Sequence, residues 1–109
     1  HVLEHIPNDI KAMRELYRVL KQDGFAILQV PISYKIEKTF EDPAIINPKA
    51  REKAFGQHNH VRIYGKDYAL RLGEAGFTVN IIECTDEFDP SQILKYGLLK
   101  DEKIFLCSK

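Results

Sequence analysis

A chain of 109 residues, 44% hydrophobic and 29% charged, has the size and balance of one globular domain and can bury about two-thirds of its unfolded surface. Sixteen basic residues against sixteen acidic ones leave no formal net charge, so no overall field draws the chain to nucleic acid or to anionic lipid. No apolar run approaches the roughly 18 residues that span a bilayer, and nothing at the N-terminus resembles a signal peptide, so a cytoplasmic protein with neither a nucleic-acid nor a membrane partner is expected.

The chain opens at His1 directly inside an apolar cluster of Val2, Leu3 and Ile6. That points to a cut through a structural element, and to a single partial domain over residues 1–109. From Asn8 to Leu20, Ile10, Met13, Leu16, Tyr17 and Leu20 recur at helical spacing. Asn8 is placed to cap this helix, Asp9 complements its positive end, and Gly24 is expected to close it in the left-handed conformation. Phe25 to Val30 is a nearly continuous apolar run that predicts a strand covered on both faces, ended by Pro31.

Residues 32–47 show no period and predict an irregular excursion of the kind that often builds binding sites. Pro48, after Asn47, starts a short helix that runs to Phe55 and is closed by Gly56; residues 57–64 return as a loop. A second amphipathic helix is expected over Lys66 to Glu74, with Tyr68, Ala69 and Leu72 on one face and Gly76 as terminator. Phe77 to Cys84 reads as a strand. The polar stretch 85–102 carries a helical turn at Pro90 to Tyr96, and Lys103 to Cys107 supplies a last strand. Cys84 and Cys107 belong to no C-x-x-C pair and have no basic cluster beside them, so both are expected to be reduced, buried thiols.

Three motifs stand in order: His1-Val2-Leu3-Glu4-His5-Ile6-Pro7, then Arg14-Glu15-Leu16-Tyr17-Arg18-Val19-Leu20-Lys21, then Gly24 to Pro31. Together they resemble the post-cofactor half of class I, S-adenosylmethionine-dependent methyltransferases. There a "VLEHI"-like turn, an "EL.RVLKPGG" helix and a strand ending in a "VP"-like dipeptide follow one another. The segment Phe55 to Gly65 and the Ala75-Gly76-Phe77 turn are similar to a bacterial subset of the family, so the resemblance covers nearly the whole chain. Gln22-Asp23-Gly24 departs from the usual Pro-Gly-Gly. No G-x-G pair occurs, although the family holds its cofactor with a glycine-rich loop and an acidic residue upstream.

The resemblance implies the C-terminal part of a Rossmann-like methyltransferase fold. Its small mixed sheet would have strands at about 25–30, 77–84 and 103–107, the last antiparallel beside the first and the second outside it, with helices on both faces. It further implies S-adenosylmethionine as cofactor of the intact protein, bordered here by His1 and Val2. Glu4 and His5 would face the reacting centre, with His5 a candidate general base; alternatively both merely hydrogen-bond neighbouring loops. Tyr34, His60, Arg62 and Tyr64 fall in the long connection that would meet a small-molecule acceptor. For Arg62 the alternative is an ion pair with Glu41 or Asp42 that pins the loop.

His1 to His5 also spell H-x-x-E-H, the zinc signature of inverted metallopeptidases, but that signature needs a helix, and Pro7 disfavours helical geometry at Ile6. Some methyltransferases similar to this chain hold a divalent cation with an "ExxEH" turn. Here His1 stands in place of the first glutamate, and His58 or His60 offers a further ligand. No assigned metal site is expected from this pattern, and a metal-dependent enzyme using His1, Glu4 and His5 stays a lesser alternative. The leading expectation is methyl transfer by a longer parent, this chain alone being inactive. The principal alternative is a non-catalytic α/β interaction module, and in either case the open edge of the Phe25 strand predicts a homodimer.

Overall fold

The computed structural model describes every residue from His1 to Lys109. A single 3-10 turn, Leu3–His5, ends at Ile6, whose backbone is extended (φ −92°, ψ 122°), the conformation a following proline imposes. Helix α1, Asp9–Val19, is capped by the Asn8 side chain, which accepts from the Lys11 amide. Its end differs from expectation. Leu20 leaves the helix in an extended conformation, and Gly24 has no positive φ; its amide instead donates to the Lys21 carbonyl at 2.9 Å.

Strand β1 is Phe25–Ile27, shorter than the expected 25–30, although the Leu28 amide still donates to the Phe105 carbonyl. The stretches read as loops each hold part of a second, two-stranded antiparallel sheet, β2 (Phe40–Glu41) against β3 (Arg62–Ile63). Two-residue strands carry too little periodicity to be seen in sequence. Between them α2, Pro48–Phe55, closes on Gly56 at φ +87°. Helix α3 is Tyr68–Glu74, followed by Gly76 at φ +117°. Strand β4, Thr78–Glu83, leads into a short helix α4, Cys84–Glu87, where a polar loop was expected; α5, Pro90–Tyr96, and strand β5, Lys103–Ser108, complete the chain.

The main sheet has the order β1-β5-β4. It is antiparallel throughout, Phe25 facing Ser108 and Glu83 facing Lys103, so the expectation of a mixed sheet is corrected. Strands β1 and β4 point the same way but do not touch, because β5 lies between them. Ala26, Cys107 and Val79 share one face of this sheet by register. Against that face lies the core of Leu3, Met13, Tyr64, Tyr68, Leu72, Phe77 and Phe105. Tyr64, Tyr68 and Phe105 form an edge-to-face chain with ring separations of 4.8 and 5.0 Å. Tyr17 of α1 meets Phe77 at 5.3 Å.

The opposite face carries Phe25 and Ile27, which are 67% and 57% exposed. The strand is therefore not covered on both faces, and helices do not flank both sides of the sheet at β1. The smallest extent of the molecule, 22 Å, is that of two layers about 10 Å apart. Its radius of gyration, 15.2 Å, exceeds the roughly 13 Å of a compact domain of this length.

Gly65 is required where the two chain segments of the small sheet's flank meet. A Cβ there would stand 2.8 Å from the Lys38 carbonyl carbon and 2.9 Å from the Ile36 oxygen. The Lys66 and Asp67 amides donate across the same gap to Ile36 and Glu37.

Burial separates two leucines of similar helical context. Leu72 of α3 is fully buried, whereas Leu94 of α5 is 84% exposed. In urea unfolding, Leu72→Ala should cost about 2–5 kcal/mol and Leu94→Ala no more than about 0.5 kcal/mol. Equal losses would show that α3 does not carry the core.

Candidate functional site

The turn at Leu3–His5 is held from outside its own sequence. Arg62, its side chain only 1% exposed, donates from Nη1 to the carbonyls of Leu3 (2.7 Å) and Ile6 (2.6 Å), and from Nη2 to Pro7 (2.9 Å). Its Nε donates to Glu41 Oε2 at 2.9 Å. The planar guanidinium serves four acceptors at once, a geometry a lysine cannot reproduce. The Val61 amide adds a bond to the Glu4 carbonyl at 2.9 Å.

Next to it lies the buried carboxylate of Asp9. Arg71 donates to it from Nη2 at 2.8 Å and from Nε at 3.1 Å, and the Tyr64 hydroxyl at 2.8 Å. Burial alone would raise the Asp9 pKa, but the hydrogen bonds from Arg71 and Tyr64 and the charges of Arg62 and Arg71 outweigh it and hold the carboxyl below its ordinary value. Burial and the adjacent Asp9 push the Tyr64 hydroxyl in the opposite direction, so it stays protonated and donating. Arg62 and Tyr64, expected among the acceptor-facing residues, thus lie inside the fold with their polar atoms committed to protein partners. The Arg62 pairing with Glu41 fastens β3 to β2 and to the turn.

The other expected site residues fall into two groups. Tyr34 and His1 line an open cleft of about 430 Å³ together with Gln29, Ile32, Lys103 and Phe105. Lys103 Nζ stands 5.8 Å above the Tyr34 ring. His1 and Val2 also border a groove of about 390 Å³ between α1 and β1, whose remaining walls are mostly apolar, among them Leu3, Ile6, Leu16 and Ile27.

Glu4, His5 and His60 come together. Glu4 and His60 are buried, and His5 is one-third exposed. One carboxylate oxygen and one ring nitrogen from each histidine lie within 4.8 Å of one another. The His5 and His60 rings meet edge to face at 4.7 Å. His5 Nδ1 is 3.2 Å from the Asn59 carbonyl. A carbonyl oxygen can only accept, so Nδ1 is the donor in that contact, and Nε2 lies 3.7 Å from Glu4 Oε1. His1 Nδ1 is 3.5 Å from the same oxygen. Glu4 Oε2 is buried without any hydrogen-bond partner. His58 stays exposed.

Both thiols are buried, and burial pushes Cys107 up to about 11, which leaves it an inert core group. No helix is long and apolar enough to cross a membrane. The residues missed in sequence are Asp9 and Arg71, which lie 62 positions apart. Asp9 at a helix start reads as a dipole partner, and nothing local marks Arg71 as its mate.

Because the Asp9 pKa is lower in the folded chain than in the unfolded one, its stabilising contribution is complete above about pH 4 and lost as pH falls through the folded value. Asp9→Asn should cost about 3 kcal/mol at pH 7 and progressively less below pH 4. Parallel urea titrations of the two proteins from pH 7 to pH 3 check this; a gap that stays constant with pH would refute it. No family model, curated protein or solved structure matches the chain.

Proposed function

We propose that this chain is the acceptor-side, C-terminal half of a cytoplasmic class I methyltransferase, with a Rossmann-like parent fold, that moves a methyl group from S-adenosylmethionine to a small-molecule oxygen, nitrogen or carbon. The observation that carries the reading is the sheet. Its last strand, β5, lies antiparallel between β1 and β4, the arrangement the motif resemblance implies. The uncovered side supports it further. Leu28 donates to β5, so the ladder's alternation turns the backbone groups of Ile27 away from β5, toward the open edge.

S-adenosylmethionine supplies an electrophilic methyl group when bound. The groove by His1 and Val2 offers apolar contact for part of it, with only His1, Glu15 and Gln29 as polar lining. That set has no cluster of backbone amides for a carboxylate and no acidic residue placed for a ribose, so this chain by itself does not hold the cofactor. What its own residues do is shape the acceptor side. Tyr34 and His1 line the open cleft, while Glu4 and His5 stand on a turn that Arg62 makes rigid. Positioning of this kind is the main requirement of an in-line methyl transfer.

Calorimetric titration of S-adenosylhomocysteine into this chain and into a form extended upstream tests the reading. Heat of binding only from the longer form is the expected result. Silence from both would abandon methyl transfer for the second reading, an interaction module derived from the same fold.

The exposed Phe25 and Ile27 favour that second reading specifically, since an apolar edge strand recruits another strand. Light scattering of the 109-residue chain should give a homodimer at high concentration, and Ile27→Lys should return it to monomer. A wild-type monomer at every concentration tested would remove the edge as an interface.

A further inference from the structure

Glu4 is 2% exposed, and its Oε2 has no donor within reach. An unsatisfied buried carboxylate oxygen is costly, and a folded chain keeps one only where something else completes it. One oxygen of the same carboxylate lies within 4.8 Å of a ring nitrogen of His5, whose Nδ1 is occupied by the Asn59 carbonyl, and of one of buried His60. The His60 ring itself makes no hydrogen bond. A histidine whose second nitrogen donates to a backbone carbonyl is the usual way a metal-binding imidazole is oriented.

We propose that Glu4, His5 and His60 form a binding site for a borderline divalent transition ion, zinc foremost, and not for magnesium or calcium. Two imidazoles and one carboxylate are a nitrogen-rich donor set, whereas magnesium and calcium demand oxygen ligands. Ligand atoms around a tetrahedral zinc stand about 3.4 Å apart, as bonds of about 2.0–2.2 Å require. The present spread of at most 4.8 Å closes to that by small side-chain rotations. The fourth position faces His1, whose Nδ1 lies 3.5 Å from Glu4 Oε1 and whose side chain is 61% exposed, so it stays open to water or an exogenous ligand. His5, 34% exposed, is the route of entry. The ion would join the Leu3–His5 turn to the loop before β3 at a point 55 residues further along the chain. The site is independent of the methyl-transfer reading, since it uses none of the missing cofactor contacts.

The probes are zinc and cobalt chlorides added to the chelator-treated 109-residue chain. Calorimetry should give one zinc per chain. The cobalt form should show the visible absorption of a four- or five-coordinate ion, and a hundred-fold excess of zinc over its Kd should raise the Tm by about 10 °C. Magnesium at millimolar concentration should neither bind nor compete. Glu4→Gln and His60→Ala should each weaken zinc by at least about 100-fold, while His58→Ala, on the exposed neighbour, should leave it unchanged. Should His60→Ala fail to fold, Glu4→Gln alone decides, because it preserves the side-chain shape. Failure of zinc and cobalt to bind, equal loss in His58→Ala, or full affinity in Glu4→Gln would overturn the proposal, and would leave Glu4 Oε2 to an ordered water.

Discussion

The fold turns on a buried cluster of charge. Asp9, Arg62, Arg71 and Tyr64, with Glu41 at the rim, tie the start of α1, strands β2 and β3 and helix α3 to one point. Asp9, Arg62 and Tyr64 are buried, while Arg71 and Glu41 close the cluster from its partly exposed side. Burying charges is unfavourable unless all of them are matched, so the cluster specifies one mutual arrangement more strongly than it stabilises it. Arg62 then extends the constraint outward by binding three carbonyls of the turn at residues 3–7. The turn has two short-range backbone hydrogen bonds of its own, His5 to Val2 and Ile6 to Leu3, and Arg62 fastens it to the rest of the fold.

That rigidity gives the histidine and glutamate cluster its meaning. His60 lies two residues before Arg62, so the residue that pins the turn also sets the loop carrying the third donor. The peptide amide of Val61 completes the join by bonding to the Glu4 carbonyl. A cluster preorganised in this way needs little rearrangement to accept an ion. The same geometry buries Arg62 and Tyr64 and bonds their polar atoms to Asp9, Glu41 and the turn carbonyls. Two residues of a polar, aromatic loop thus fasten the structure.

The main sheet is covered on one face only at β1. On one face the Tyr64, Tyr68 and Phe105 rings, Met13 and Leu72 close a dry core with α1 and α3. On the other, Phe25 and Ile27 meet solvent, and the edge of β1 has backbone groups with no strand beside them. The 22 Å thickness of the molecule is that of two layers.

Local chemistry was legible in the sequence. Asn8 caps the helix that follows it and Pro48 opens α2, as their positions announce, and α5, which buries no residue, begins at Pro90 beneath a capping box between Asp89 and Gln92. Apolar runs marked all three strands of the main sheet, and Pro7 foretold that the H-x-x-E-H stretch would not be an α-helix. What the tertiary structure decided was every relation between distant residues: the pairing of Phe40–Glu41 with Arg62–Ile63, the choice of His60 over His58, the Asp9–Arg71 bond and the exposure of Phe25. Caps, turns and periodicity depend on neighbours within four residues, which a sequence displays. Buried charge matching and uncovered faces depend on which surfaces meet, and that is settled only when the chain has closed on itself.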